Sequence, residues 1–421
     1  MKKENLSDAI NLINDDIIEQ ADTKRNINKK YKVIRIARVC VAACLALAIS
    51  LTAITIIRNN FPSADSSPPT PNNTTNSSTE QSTPDNTLNP NLPILDATMI
   101  FGDGGFEGYM LHDISELVNA NPWTENLEID TLPVYNNTLN LDERYNITNI
   151  DYDKMNSLIL EIAKRCGLQE DEIEIVRQPN SYYGGLLVEA EGFEIEVEPQ
   201  LTATIKFKPT ISLPDEYNFT YNNSTYNDML AVAKYLQTEY SNIIDFENPQ
   251  INITGGYYNI YNQQNYDIEF FNDSDDITQN IINYKFNRVA FYSNGENQLY
   301  MIRIFKPDLS EKFGDYPIIT KEKATELLSN GNFASSVPFD FPGVEYVKKV
   351  ELVYRNAYWL DKIYMPYYKF YIELPERENW HGNGEKEYGA YYVPAVDGKY
   401  LKNMPVYDEV LIKHNKKLYL L

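Results

Sequence analysis

The sequence predicts an α+β fold: about three helix-plus-antiparallel-sheet units carried by one N-terminal transmembrane helix. Three observations carry this reading. Residues 39–57 form an unbroken apolar run, residues 58–94 are almost purely Pro, Ser, Thr and Asn, and beyond them helical stripes alternate with strand-like segments. About 327 of the 421 residues follow residue 94, enough for two or three domains with cores of their own.

Residues 1–38 read as a cytoplasmic segment. Leu6, Ile10, Ile13, Ile17 and Ala21 recur at helical spacing with Asp8, Asn11, Asp15, Glu19 and Asp22 mostly between them, and Ser7 can cap the helix. So short an amphipathic helix is marginal alone in water, which implies a cytoplasmic partner or a second copy.

The run at 39–57 (VCVAACLALAISLTAITII) holds no ionisable acid or base, and at about 1.5 Å per residue it approaches the roughly 30 Å hydrocarbon core. Lys24, Arg25, Lys29, Lys30, Lys32, Arg35 and Arg38 precede it without an acid among them, so the N-terminus is expected inside and the remainder outside. A cleaved signal peptide is the rival, but 38 preceding residues make a long n-region. Val41-Ala42-Ala43-Cys44 has a lipobox composition, yet it stands at the start of the apolar run. Cys40 and Cys44 therefore belong to the span, and Cys166 has no exported partner for a disulfide.

Residues 58–94 have little to bury and read as an extended linker. Residues 1–38 carry nine Lys/Arg and six Asp/Glu, so of the whole-chain charge of −23 the part beyond the span holds −26. That acidity excludes nucleic acid as a partner and favours cations or basic peptides.

The first expected unit is 95–212. Met155, Leu158, Ile159, Ile162 and Cys166 share a helical face that Gly167 ends, and strands are expected at 173–177, 186–191, 193–198 and 201–208. In the second, 213–312, Thr225 and Asp228 approximate a capping box before Met229, Val232, Ala233, Leu236 and Tyr240. Strands are expected at 250–253, 266–271, 287–293 and 298–305, the last two joined as a hairpin at Asn294-Gly295. In the third, 313–421, Thr320 caps a helix with Ala324, Leu327 and Leu328 inward and Gly331 at its end. Strands are expected at 347–354, 365–374 and 388–396.

Within this third unit, Pro317-Ile318-Ile319-Thr320, Lys349-Val350-Glu351-Leu352-Val353-Tyr354, Met365-Pro366-Tyr367-Tyr368 and Tyr392-Val393-Pro394-Ala395-Val396-Asp397-Gly398 resemble a PepSY-like or YycI-type extracytoplasmic module. Tyr368 stands where the YycI-type pattern tends to carry Trp. The resemblance implies a membrane-tethered module that binds and regulates partner proteins. The segment from Ala9 to Ala21, followed by basic residues and the span, is similar to the start of many uncharacterised Gram-positive bacterial membrane proteins.

No catalytic signature emerges. His112, His381 and His414 lack the spacing of a zinc motif, and no nucleophile elbow or P-loop is present. Neither a cofactor nor a metal is expected. Glu189, Glu191, Glu194, Glu196 and Glu198 read as the wet side of a hairpin, and Asp273, Asp275 and Asp276 as a solvated loop without EF-hand spacing. The candidate ligand-binding residues are Trp380 and His381, in a glycine-flanked loop, with Tyr367 and Tyr368. Most of the 33 tyrosines suit half-buried strand positions or a binding surface.

The expectation is a non-enzymatic, membrane-anchored extracytoplasmic binding or regulatory protein with a protein or peptide partner at the cell surface. The alternative is a surface-anchored hydrolase using paired carboxylates.

Overall fold

Strands dominate the molecule. The computed structural model describes residues 91–96, 106–141, 147–177, 184–220, 224–355, 361–377 and 384–407, all within one unit, Pro84–Leu421. The chain begins with β1 (Gly108–Leu111), β2 (Thr131–Asn136), β3 (Asn140–Leu141) and β4 (Ile147–Thr148). Helix α1 (Tyr152–Arg165) leads to β5 (Val176–Arg177), β6 (Leu186–Ala190), β7 (Phe193–Glu198) and β8 (Thr202–Ser212). Helices α2 (Tyr226–Glu239) and α3 (Ser241–Ile244) precede β9 (Pro249–Tyr258) and β10 (Gln264–Asn272). Then come α4 (Ile277–Phe286), β11 (Arg288–Ser293), β12 (Gln298–Phe305), β13 (Lys312–Pro317) and α5 (Lys321–Ser329). The last strands are β14 (Val347–Tyr354), β15 (Ile363–Tyr364), β16 (Pro366–Glu373) and β17 (Lys386–Pro394).

Twelve of these strands form one sheet, ordered β14-β16-β17-β1-β9-β10-β11-β12-β8-β7-β6-β5. All its neighbours are antiparallel. This corrects the expected fold class of three helix-plus-sheet units: the molecule is mostly antiparallel sheet, with few helices. The physical reason lies at the strand edges. Three separate sheets would each expose two rows of unpaired backbone groups. Here β8 pairs with β12, and β1 bridges β17 to β9. These pairings join all three expected segments.

Local signals govern the helices. In α1, Met155, Leu158, Ile159 and Ile162 are buried, the Asp151 carboxylate accepts from the Lys154 backbone N, and Gly167 ends the helix at φ +92. Cys166 packs against the same core, and burial pushes its thiol up to about 12. The Thr225 and Asp228 capping box starts α2, whose Met229, Val232, Ala233 and Leu236 are buried. Thr320 caps α5. The hairpin of β11 and β12 turns at Asn294–Asn297, with positive φ at Gly295 and Asn297.

Helix α4 is not anticipated by the sequence. Its residues ITQNIINYKF include several of modest helix propensity. It is fixed instead by Asp276, which accepts from the Thr278 backbone N, and by burial of Ile281, Ile282 and Phe286. The acidic loop before it is thus a helix cap.

A second correction concerns the membrane. Among the described residues no helix is long and apolar enough to cross one, so the expected transmembrane helix has no counterpart in the described structure. Residues 39–57, the N-terminal amphipathic helix and the linker lie outside the described residues.

Candidate functional site

Strand β16 reads PYYKFYIE, and its alternation places two sets of side chains on opposite faces. Tyr368, Phe370 and Ile372 enter a core with Leu352 and Val393. There the Tyr368 hydroxyl donates to the Ile319 carbonyl at 2.8 Å, and its ring meets Trp123 edge-on at 5.8 Å. Tyr367 faces the other way, buried with Leu95, Val134 and Tyr316. The two tyrosines put forward from the sequence are therefore core residues that do not converge. Trp380 and His381 lie outside the described residues.

Lys369 and Tyr371, on the Tyr367 face, open onto a polar cluster. The Lys369 ammonium donates to Glu107 Oε1 at 2.7 Å and to the Tyr109 hydroxyl at 2.9 Å. Tyr109 and Tyr392 donate to the same carboxylate, each at 2.8 Å. Burial alone would raise Glu107, but the charge of Lys369 and these hydrogen bonds outweigh it and bring it down to about 2. Burial likewise opposes the charge on Lys369, and Glu107 with the surrounding tyrosines overcomes it, so the ammonium is held protonated. Beside this pair Glu351 accepts from Asn119 at 2.7 Å, Lys349 at 2.9 Å and Tyr371 at 2.8 Å.

These groups face a cavity of about 480 Å³, within the range of small-molecule sites, roughly 300–1,000 Å³. Its existence requires the sheet to curl. Strands β14 and β9 are four steps apart in the sheet, about 19 Å if it were flat at roughly 4.8 Å per step. Yet the adjacent residues Asn119 and Ala120 reach both, through Glu351 of β14 at 2.7 Å and Asn252 of β9 at 2.8 Å. Helix α4 makes the same short cut. Its Asn283 donates to the Asn272 carbonyl of β10 at 2.7 Å, while the Phe286 ring packs at a tilt against Tyr354 of β14, with centroids 5.2 Å apart. Gly255 lets the neighbouring strand approach: at φ +118, an added Cβ would meet the Asn265 carbonyl at 2.3 Å.

The wall is unevenly committed. Besides the pairs above, Arg355 is held by Asp361 at 3.0 Å. In contrast, Lys285 and Tyr284 of α4, Tyr257 of β9 and Asp267 of β10 line the same cavity, and their side-chain polar atoms make no hydrogen bond or ion pair with any described residue. Burial, then the neighbouring Arg288, lower Lys285 to about 8 against an opposing pull from Glu269. Asp267 is exposed by surface area, although protein atoms crowd around its carboxyl. Burial and Glu269 raise it to about 6, with Arg288 opposing. Burial raises the Tyr257 and Tyr284 hydroxyls, which stay neutral donors.

Elsewhere the acidic groupings are structural. Glu194 pairs with Lys208, Glu196 with Lys206 at 3.1 Å and Glu198 with Arg303 at 3.3 Å along the β6 to β8 face. Among the described residues, no group of three or more His, Cys, Asp or Glu side chains is placed to hold a metal ion.

The cluster left one readable trace. Lys369 stands among aromatics in Tyr367-Tyr368-Lys369-Phe370-Tyr371, and Lys285 stands between Tyr284 and Phe286. A charge inside a stretch buried on both sides needs a partner or a ligand. That Glu107 supplies the partner is a tertiary fact, 262 residues away.

No family model matches the chain, and no curated protein matches it. Among solved structures, it is similar to an uncharacterized protein from Eubacterium rectale ATCC 33656. The match has 14% identity and a TM-score of 0.30, and covers 64% of this chain and 85% of the other. A similarity at that level carries no argument about this protein.

Proposed function

We propose that this is a non-catalytic binding protein that holds a small polar molecule in the cavity lined by β14, β16, β17, β1, β9, β10 and α4. One observation carries the reading: the Lys369–Glu107 and Glu351 networks fix the wall, while the side chains of Lys285, Tyr284, Tyr257 and Asp267, facing the same 480 Å³, make no hydrogen bond or ion pair with any described residue. A wall rigid before the ligand arrives lowers the entropic cost of binding. The hydrolase alternative needs one carboxyl group as proton donor and a second as base or nucleophile. Glu107 and Glu351 are both held ionised by lysines, which makes them poor proton donors; Asp267, raised to about 6, is the carboxyl on this wall suited to that role, and release of an altered species in the experiment below would assign it.

Native mass spectrometry of the full chain, after incubation with a cell-derived small-molecule extract, tests this. The expected result is one or a few bound species of unchanged mass, lost when Val353→Trp fills the cavity in a protein of unaltered circular dichroism. Equal retention by Val353→Trp would remove the cavity as the site, and release of a chemically altered species would remove the non-catalytic reading.

A further inference from the structure

The chemistry of the bound molecule follows from which wall groups lack a partner; this inference rests on the cavity being a ligand site. Of the three cations on the wall, Lys369 and Arg355 are spoken for by Glu107 and Asp361, at 2.7 and 3.0 Å. Among the described residues, Lys285 alone of the three has no counter-charge in contact. It lies in the last turn of α4, where the helix dipole favours a cation; that offsets only part of the cost of an ammonium shielded by protein and unpaired, and an anion would remove the rest. The Tyr284 and Tyr257 hydroxyls on the same wall are free donors, which adds to the mismatch between donors and acceptors. Among the described residues of the wall, Asp267 is the carboxylate without a hydrogen-bond or ion-pair partner. It makes no ion pair with Lys285, so the two are separate points of attachment.

We propose that the cavity takes a small organic oxyanion, a carboxylate or a phosphate, whose anionic group pairs with Lys285 and accepts from Tyr284 or Tyr257. A hydroxyl or amine elsewhere on the same molecule donates to Asp267. Charge-assisted bonds of this kind are the strong ones.

The test uses the full-length protein and three probes of similar size: gluconate for the carboxylate, glucose 6-phosphate for the phosphate, and glucose as the neutral control, at constant ionic strength. The rate of Lys285 acetylation near pH 8, read by peptide mass spectrometry against the exposed Lys234, reports occupancy in the unmutated protein. The expected result is slowing by about tenfold or more with gluconate, glucose 6-phosphate or both, and none with glucose. Slowing by gluconate alone or glucose 6-phosphate alone identifies the oxyanion. Lys285→Gln should weaken binding of the effective probe by about tenfold or more in calorimetry. Protection by glucose equal to that by the anions would overturn the proposal and leave the cavity reading intact. Unchanged rates with all three probes would also overturn it, and the Val353→Trp comparison then decides the cavity reading separately.

Discussion

Replacing Lys369 with methionine is expected to cost about 2 kcal/mol of folding stability, less than the roughly 3–5 kcal/mol for one member of a fully buried ion pair, because the Glu107 side chain is 38% exposed and partly screened by solvent. The substitution leaves the Glu107 carboxylate facing Tyr109 and Tyr392 without its counter-charge. It also removes the cation that lies 4.7 Å from the Tyr371 ring. Denaturant unfolding measures the loss, and the double variant Lys369→Met/Glu107→Gln should recover part of it, because no lone charge remains. The pair also sets an acid dependence. Glu107 is depressed from an ordinary value near 4.5 to about 2, so its contribution is complete above 4.5 and disappears as the pH falls from there towards 2. That part of the acid limb should flatten in Lys369→Met.

Phe286→Ala is expected to be at least as damaging, at about 3–5 kcal/mol, the usual range for a fully packed aromatic. Phe286 is 2% exposed and lies 5.2 Å from the Tyr354 ring and 5.3 Å from Tyr364. It pins the end of α4 onto β14, so its loss removes core packing and also loosens the helix that carries Tyr284 and Lys285. Phe286→Leu should cost less than Phe286→Ala, since it refills most of the volume. Thermal or urea melts of the two variants give the comparison; equal stability of Phe286→Ala and the unmutated protein would mean that α4 does not close the curl.

These two positions also mark where the sequence stops being informative. Residues with local causes are legible: the Thr225–Asp228 box, Gly167 after α1, and the strands expected at 193–198, 298–305 and 347–354 all coincide with the observed elements. Sheet order is not local. Nothing in Gly108–Leu111 announces that this short strand will stand between β17 and β9, and without that pairing three independent units are the natural reading. Helix α4 was hidden for a related reason: its Asn-rich segment is helical because Asp276 caps it and the core receives Ile281, Ile282 and Phe286. The candidate site inherits both obscurities. Glu107, Lys285 and Lys369 belong to three distant stretches, and only the curl of the sheet brings them to one cavity. Tyr367 and Tyr368, conspicuous as a pair, are directed by strand alternation to opposite cores.

Lys285 is the cation on the cavity wall that is shielded by protein and has no described counter-charge, and its titration measures that shielding directly. In side-chain nitrogen NMR of the full chain, with the Lys285 resonance assigned by its absence in Lys285→Gln, the ammonium is expected to lose its proton near pH 8. Titration alongside the exposed lysines, close to the ordinary value of 10.5, would place Lys285 in bulk water and contradict the enclosed site.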